Sequence, residues 1–288
     1  RLTQTITLPG CLQAQGYGDA ISEDTPWVQS LYDALWYQRG EYAYAQENGT
    51  KVPFLSQPPR HYTGKAWYQK TIFVPEKSDG FVGRLTLEDT KWKTTLWIDG
   101  ECKGSIVSLC APHVYETGAL SAGEHTVTLC IDNGWQLPYR PDGHGVSDAL
   151  GATWNGVAGA ITLELFNRVW IERVWVNAQL PKATIKVYLK NETSHTQNCI
   201  VRVQDIARTD ISAEMICVLT PGSQICELTL NYPSDTLLWD EFDQGLQHLI
   251  VTLSSISNAL QGEMQSYITQ LPLQSKEMVS QFPKAVLQ

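Results

Sequence analysis

The stretch with the most chemistry per residue runs from Asp132 to Asp148 and resumes at Thr153-Trp154-Asn155-Gly156. It carries carboxylates, carboxamides, an arginine, a histidine and aromatic rings on a glycine-rich backbone. Planar polar groups fork onto neighbouring hydroxyls and flat rings stack on C–H faces, so this composition suits a sugar ligand. It equally suits an ordered surface loop whose Asp and Asn cap turns and whose Trp covers a core edge.

Other chemistries lack their spacing. There is no G-x-S-x-G elbow, no H-E-x-x-H pair and no P-loop. Gly16-Tyr17-Gly18 has no βαβ surroundings and is no dinucleotide fingerprint. The six His are scattered and the seven Cys contain no C-x-x-C, so neither a metal nor a cofactor is expected. Glycosidic cleavage needs two carboxylates about 5–9.5 Å apart. Thirty acids offer no spacing that picks out such a pair.

The elements that must position these groups read as strands. Val127, Leu129 and Ile131 alternate with polar residues, as do Ile161, Leu163 and Leu165, and Ile185, Val187 and Leu189. Further strands are expected at 66–74, 84–88, 94–98, 171–176, 199–203, 225–230 and 249–253. Asp99-Gly100 and Pro221-Gly222 are among the turn signals that separate them. The best helical pattern is Thr25 to Tyr37, with Thr25 as N-cap and Pro26 as the first helical residue. Ten Trp and twelve Tyr against three Met fit an all-β core, and also sugar stacking.

The alternation stops at Phe166 and restarts at Trp170, which predicts domains at 1–167 and 168–272 and a polar tail at 273–288. The first holds long irregular stretches at 10–65 and 132–156, and loops of that length cover something or act on something. The second has regularly spaced short strands of the kind found in immunoglobulin-type sandwiches. With 43% hydrophobic residues a disordered chain is excluded. A net charge of -9 without a basic patch argues against nucleic acid and against anionic membrane surfaces. No apolar run is long enough for membrane insertion, and no leader is visible in RLTQTITLPG. Most or all of the cysteines are expected as free thiols, although an extracellular address would allow a bridge.

The order of motifs resembles the N-terminal part of glycoside hydrolase family 2, the β-galactosidase, β-glucuronidase and β-mannosidase group. The resemblance rests on Leu8-Pro9-Gly10, Gly16-Tyr17-Gly18-Asp19, Ala66-Trp67-Tyr68-Gln69-Lys70 and Pro112-His113-Val114-Tyr115. It continues through Ile131-Asp132-Asn133, Ser147-Asp148, Trp154-Asn155-Gly156 and Leu238-Trp239-Asp240-Glu241-Phe242, and covers roughly residues 8–255. It implies an all-β chain: a galactose-binding-like jelly-roll sandwich followed by an immunoglobulin-like β-sandwich. The family's third part, a barrel with both catalytic glutamates, has no counterpart here. No catalytic residue is therefore expected, and the chain alone should be inactive.

The implied role is recognition of a carbohydrate, a β-glycoside or polysaccharide, and support of a barrel. Asp148 and Asn155 are the first candidates for sugar contact, followed by His144, Asn133 and Trp154. Two stretches depart from the family pattern. Ala149-Leu150-Gly151-Ala152-Thr153 replaces a polar run, and Gln244 and Gln247 stand where Pro and Tyr are usual. Family habit implies a periplasmic or extracellular location. Self-association through the surface that would dock a barrel is a further expectation. A stand-alone carbohydrate-binding module, a scaffold with a decayed sugar site and a small hydrolase are the alternatives.

Overall fold

The computed structural model describes residues 4–28, 38–43, 59–138, 148, 151, 153–179, 181–236, 242 and 245–256, with two short strands at 267–268 and 279–280. The chain is all-β and divides into two compact units, Arg1–Phe166 and Asn167–Gln288.

The first unit contains β1 (Gly10–Cys11), β2 (Lys65–Val74), β3 (Phe81–Leu87), β4 (Thr90–Lys91), β5 (Lys93–Ile98), β6 (Glu101–Val107), β7 (His113–Leu120), β8 (Gly123–Asp132), β9 (Gly156–Val157) and β10 (Ile161–Phe166). Its antiparallel sheets run in the orders β2-β8-β5-β6 and β10-β3-β7, with a small sheet β1-β9-β4. Alternate residues of both large sheets turn inward, and Tyr68, Leu85, Leu87, Leu96, Leu129 and Ile131 form one core. Two sheets closing on a shared core make a sandwich.

The second unit contains β11 (Val169–Gln179), β12 (Lys182–Asn191), β13 (Gln197–Asp205), β14 (Ser212–Leu219), β15 (Gly222–Asn231), β16 (Gln247–Ser255), β17 (Tyr267–Ile268) and β18 (Val279–Ser280). Its sheets run β11-β12-β15 and β14-β13-β16, with β17 and β18 paired to β16. Ile185, Val187, Leu189, Val201, Leu228 and Val251 pack between them. Asp205 is fully buried: one carboxylate oxygen accepts the N–H groups of Ala207 and Arg208, the other the Tyr232 hydroxyl at 2.9 Å. Burial pushes the Tyr232 hydroxyl pKa well above its ordinary value. Cys217 on β14 and Cys226 on β15 form a disulfide between the two sheets, and the other five cysteines are free.

Three strands escape the alternation rule. In β7 the buried positions are His113, Tyr115, Thr117 and Leu120 while Val114 faces outward, so the polarity pattern is inverted over the first half of the strand. The inversion is stabilised by a buried network in which the Thr94 hydroxyl meets His113 Nδ1 and the Tyr115 hydroxyl. Burial holds the His113 imidazole below its usual pKa. β6 is an edge strand with a bulge opposite Leu96 and Trp97, and β14 is an edge strand that exposes Met215, Ile216 and Val218. The helix expected from Thr25 does not start. Residues 25–28 are irregular, the Thr25 hydroxyl accepts the Ser22 N–H, and the Val28 N–H is taken by Asp148, while 29–37 lie outside the described residues. A long-range acceptor has displaced the local N-cap geometry.

The turn Asp99-Gly100 has positive φ at both residues, as a tight hairpin between β5 and β6 requires. The Asp99 carboxylate accepts the Thr126 N–H at 2.7 Å and meets His125 Nδ1 at 2.6 Å, which ties the turn to β8. The Thr126 N–H and His125 hold the Asp99 pKa low. The Ser121 carbonyl and Asp99 hold the His125 pKa high.

The signs fix the pH dependence. The His125 contribution is complete below about pH 6.5 and fades as pH rises through the raised value, whereas the Asp99 contribution is complete above about pH 4 and fades as pH falls through the lowered one. Thermal unfolding of Asp99→Asn should therefore lose the part of the wild-type optimum lying between those limits. The effect is small because the Asp99 side chain is half exposed. A wild-type-minus-variant Tm difference that is flat from pH 3 to 9 would refute this role.

Candidate functional site

The end of the first unit that carries the polar loop is built around a close crossing of chains. β9 lies between β1 and β4, with Gly10 opposite Val157 and Cys11 opposite Gly156. Gly156 has φ +148, and a side chain there would collide with the Gly10 carbonyl. Only glycine lets the N-terminal strand approach this closely.

One residue earlier, Asn155 is fully buried and satisfied on every side. Its carboxamide oxygen accepts the Tyr68 hydroxyl at 2.7 Å. Its Nδ2 donates towards Gly64 O, Ile131 O and Asn133 Oδ1 at 3.0, 2.9 and 3.3 Å. Its N–H reaches Gln13 Oε1 and its carbonyl accepts the Leu12 N–H. Asn133, also buried, accepts the Gly64 N–H and donates to the Tyr62 carbonyl. Gln13 returns its own amide to the Tyr62 and Thr153 carbonyls.

Asp148 is the second anchor. It is 1% exposed, and its two oxygens accept the Val28 and Thr153 N–H groups, each at 2.7 Å. His61, itself buried, brings Nε2 to 3.6 Å from Asp148 and lies edge-on to Trp27 with ring centroids 5.0 Å apart. Trp154 is half-buried, and Lys91 Nζ lies 5.4 Å from its ring centroid, within cation–π range. Burial holds the Lys91 pKa below the usual lysine range. Trp135 is half-buried as well and meets the buried Trp92 edge-on. In the same unit a cavity of about 1390 Å³ is lined by Tyr17, Tyr62, Tyr68, Lys65, Leu87 and Leu129.

Four of the five sequence candidates thus belong to one loop system. Asn133, Asn155 and Asp148 direct their polar atoms mostly onto main chain, the Asn155 oxygen meeting the Tyr68 hydroxyl, and Trp154 presents a ring beside a lysine. His144 lies outside the described residues, as do Leu238–Trp239–Asp240–Glu241 of the last motif. The residues that sequence reading missed are Gln13, His61 and Lys91. Each acts across a long chain separation, and no local pattern marks it. Among the described residues, no group of three His, Cys, Asp or Glu is arranged to hold a metal, and no helix is long and apolar enough to cross a membrane.

No protein-family model and no curated protein matches the sequence. Solved structures do match the fold. A β-glucuronidase from Bacteroides uniformis aligns over 68% of this chain and 25% of its own, at 16% identity and a TM-score of 0.58. A GH2 β-galacturonidase from Eisenbergiella tayi, bound to galacturonate, aligns over 68% of this chain and 34% of its own, at 14% identity and TM-score 0.55. A β-D-mannosidase from Dictyoglomus thermophilum gives 66%, 27%, 14% and 0.51. The chain therefore shares its β-sandwich fold with a part of these glycosidases and spans only a quarter to a third of their length.

The Asn155 network predicts a large local penalty. Asn155→Ala leaves the Tyr68 hydroxyl without its acceptor and takes a donor from the Ile131 and Gly64 carbonyls, the latter keeping only the Asn133 N–H, at about 1–3 kcal/mol for each buried group left unpaired. Urea unfolding followed by Trp fluorescence should show a loss of roughly 3 kcal/mol. Asn155→Ala with an unchanged midpoint would show that the network is dispensable.

Proposed function

We propose that the chain is a non-catalytic, carbohydrate-recognising portion of a glycoside hydrolase family 2 enzyme. In this reading residues 1–167 form a galactose-binding-like jelly roll and residues 168–272 an immunoglobulin-like brace. The observation that carries it is the fold shared with three glycosidases over two thirds of the chain, joined to motifs in the family's order. Sugar contact belongs to the loop end. Trp154 offers a half-buried ring for stacking with Lys91 beside it, and His144 comes from the same loop. Asp148, Asn155 and Asn133 serve that contact by fixing the chain around it, since their polar atoms are engaged by main chain and, for the Asn155 carboxamide oxygen, by the Tyr68 hydroxyl. The ligand class is a β-glycoside.

A periplasmic or extracellular address, the habit of the family, is part of the proposal. So is self-association through the loop end, where Trp135 and Trp154 are only half-buried.

The full chain should release no nitrophenol from nitrophenyl β-galactoside, β-glucuronide or β-mannoside, yet bind the matching oligosaccharide in calorimetry, at least tenfold more weakly as Trp154→Ala. Turnover that disappears on changing an acid within 132–156 would instead make the loop a small hydrolase site. Absence of any glycan binding would favour a scaffold whose sugar site has decayed.

A further inference from the structure

The outward face of the β2-β8-β5-β6 sheet carries a feature that the loop end does not use. Trp67 on β2 and Trp97 on β5 flank β8, with ring centroids 5.1 Å apart and planes inclined by 33°. Trp67 is 50% exposed, although it is a large apolar ring on a sheet whose opposite face supplies the core. Cys130 also points outward, yet is only 7% exposed, because the two indoles lie over β8. Polar pairs border the rings: Gln69 donates to the Thr128 hydroxyl at 2.9 Å, and the Thr95 and Ser105 hydroxyls meet at 2.7 Å.

The next row of the sheet adds charge. Lys65 and Lys93 both lie in register with Asp132, one on each side, at the end of the strands next to Trp67. Asp132 turns one carboxylate oxygen to the Gly134 N–H. Among the described residues neither lysine ammonium has an ion-pair partner. Two uncommitted cations against one engaged carboxylate make this row net positive on a chain of net charge -9. Both lysines lie close enough to Cys130 for their charge to act on its thiol.

We propose that this face is a second glycan site, specific for an acidic sugar chain. The pyranose C–H faces stack on Trp67 and Trp97, Gln69 and the hydroxyls meet ring hydroxyls, and Lys65 and Lys93 take a uronate carboxylate. The proposal is independent of the loop-end reading, because it uses none of the same side chains. Stacking on exposed indoles supplies contact area at little cost in side-chain order, and the lysines supply the preference for acid.

The test is titration of the full chain, at low and moderate salt, with tetragalacturonate and with a neutral β-galacto-oligosaccharide of equal length. Trp fluorescence and calorimetry are the readouts. Tetragalacturonate should bind at least tenfold more tightly than the neutral chain. Its affinity should fall at least tenfold in Trp67→Ala and in the double variant Lys65→Ala/Lys93→Ala, and stay unchanged in Trp154→Ala. Trp67 is half exposed, so Trp67→Ala should keep the wild-type circular dichroism and melting. Trp97→Phe, which keeps a ring, gives a second variant that should bind with intermediate affinity. Equal affinity for both oligosaccharides, or loss only in Trp154→Ala, would overturn the proposal. So would a change in sedimentation, rather than in glycan affinity, on replacing Trp67.

Discussion

Asn155 has no access to water, and its atoms answer to four separate stretches of chain: the carboxamide to the strand carrying Tyr68, the turn at Gly64 and the end of β8 at Ile131, and the main-chain N–H and C=O to Gln13 and Leu12 near β1. A buried amide is tolerable only if satisfied, and here its satisfaction requires those stretches to be in place together. The loop end inherits its shape from that requirement. Asp148 repeats the device on the other side, where its carboxylate replaces a missing strand partner for Val28 and Thr153. The irregular segments are thus fixed by side chains doing the work that a ladder does in the sheets.

The second unit solves a related problem with fewer groups. Asp205 closes its own turn through Ala207 and Arg208 and accepts Tyr232 from a later segment. Asn191, also buried, donates to the His195 and Leu219 carbonyls, and the remaining core is mainly aliphatic between two sheets, with one disulfide between them. The difference fits the sequence. Buried polar residues such as Gln13, Asn133, Asp148 and Asn155 gather in the first unit, beside long irregular stretches that need anchoring.

Much of the sheet framework could be read from residue order alone. Val127-Leu129-Ile131 and Ile185-Val187-Leu189 alternate cleanly because one face meets the core and the other meets water. β7 could not be read that way, since a polar network reverses its faces, and β14 could not because as an edge strand it leaves apolar side chains outside. At the loop end, composition marked Asn133, Asp148, Trp154 and Asn155 as a group but not what they touch. Asn155 and Gln13 are far apart in the chain, and Lys91 reaches Trp154 only through the fold. The residues were visible and their partners were not, because hydrogen bonds between distant segments leave no periodic trace.

The pairing of Gly10 with Val157 sets an order of events as well as a position. β1 finds its partner only after nearly the whole first unit has been made, whereas β11 and β12, or β13 and β14, meet across short turns. Closing a long loop must be offset before any contact rewards it, so non-local sheets assemble slowly and local hairpins quickly. During synthesis β1, made before the other strands of this unit, would be among the last of them to settle. Until Asn155 and Gly156 arrive, Gln13 has only the Tyr62 carbonyl to hold and β1 has no strand partner, and the second unit's local hairpins form on a faster clock than the seal of the unit that precedes them.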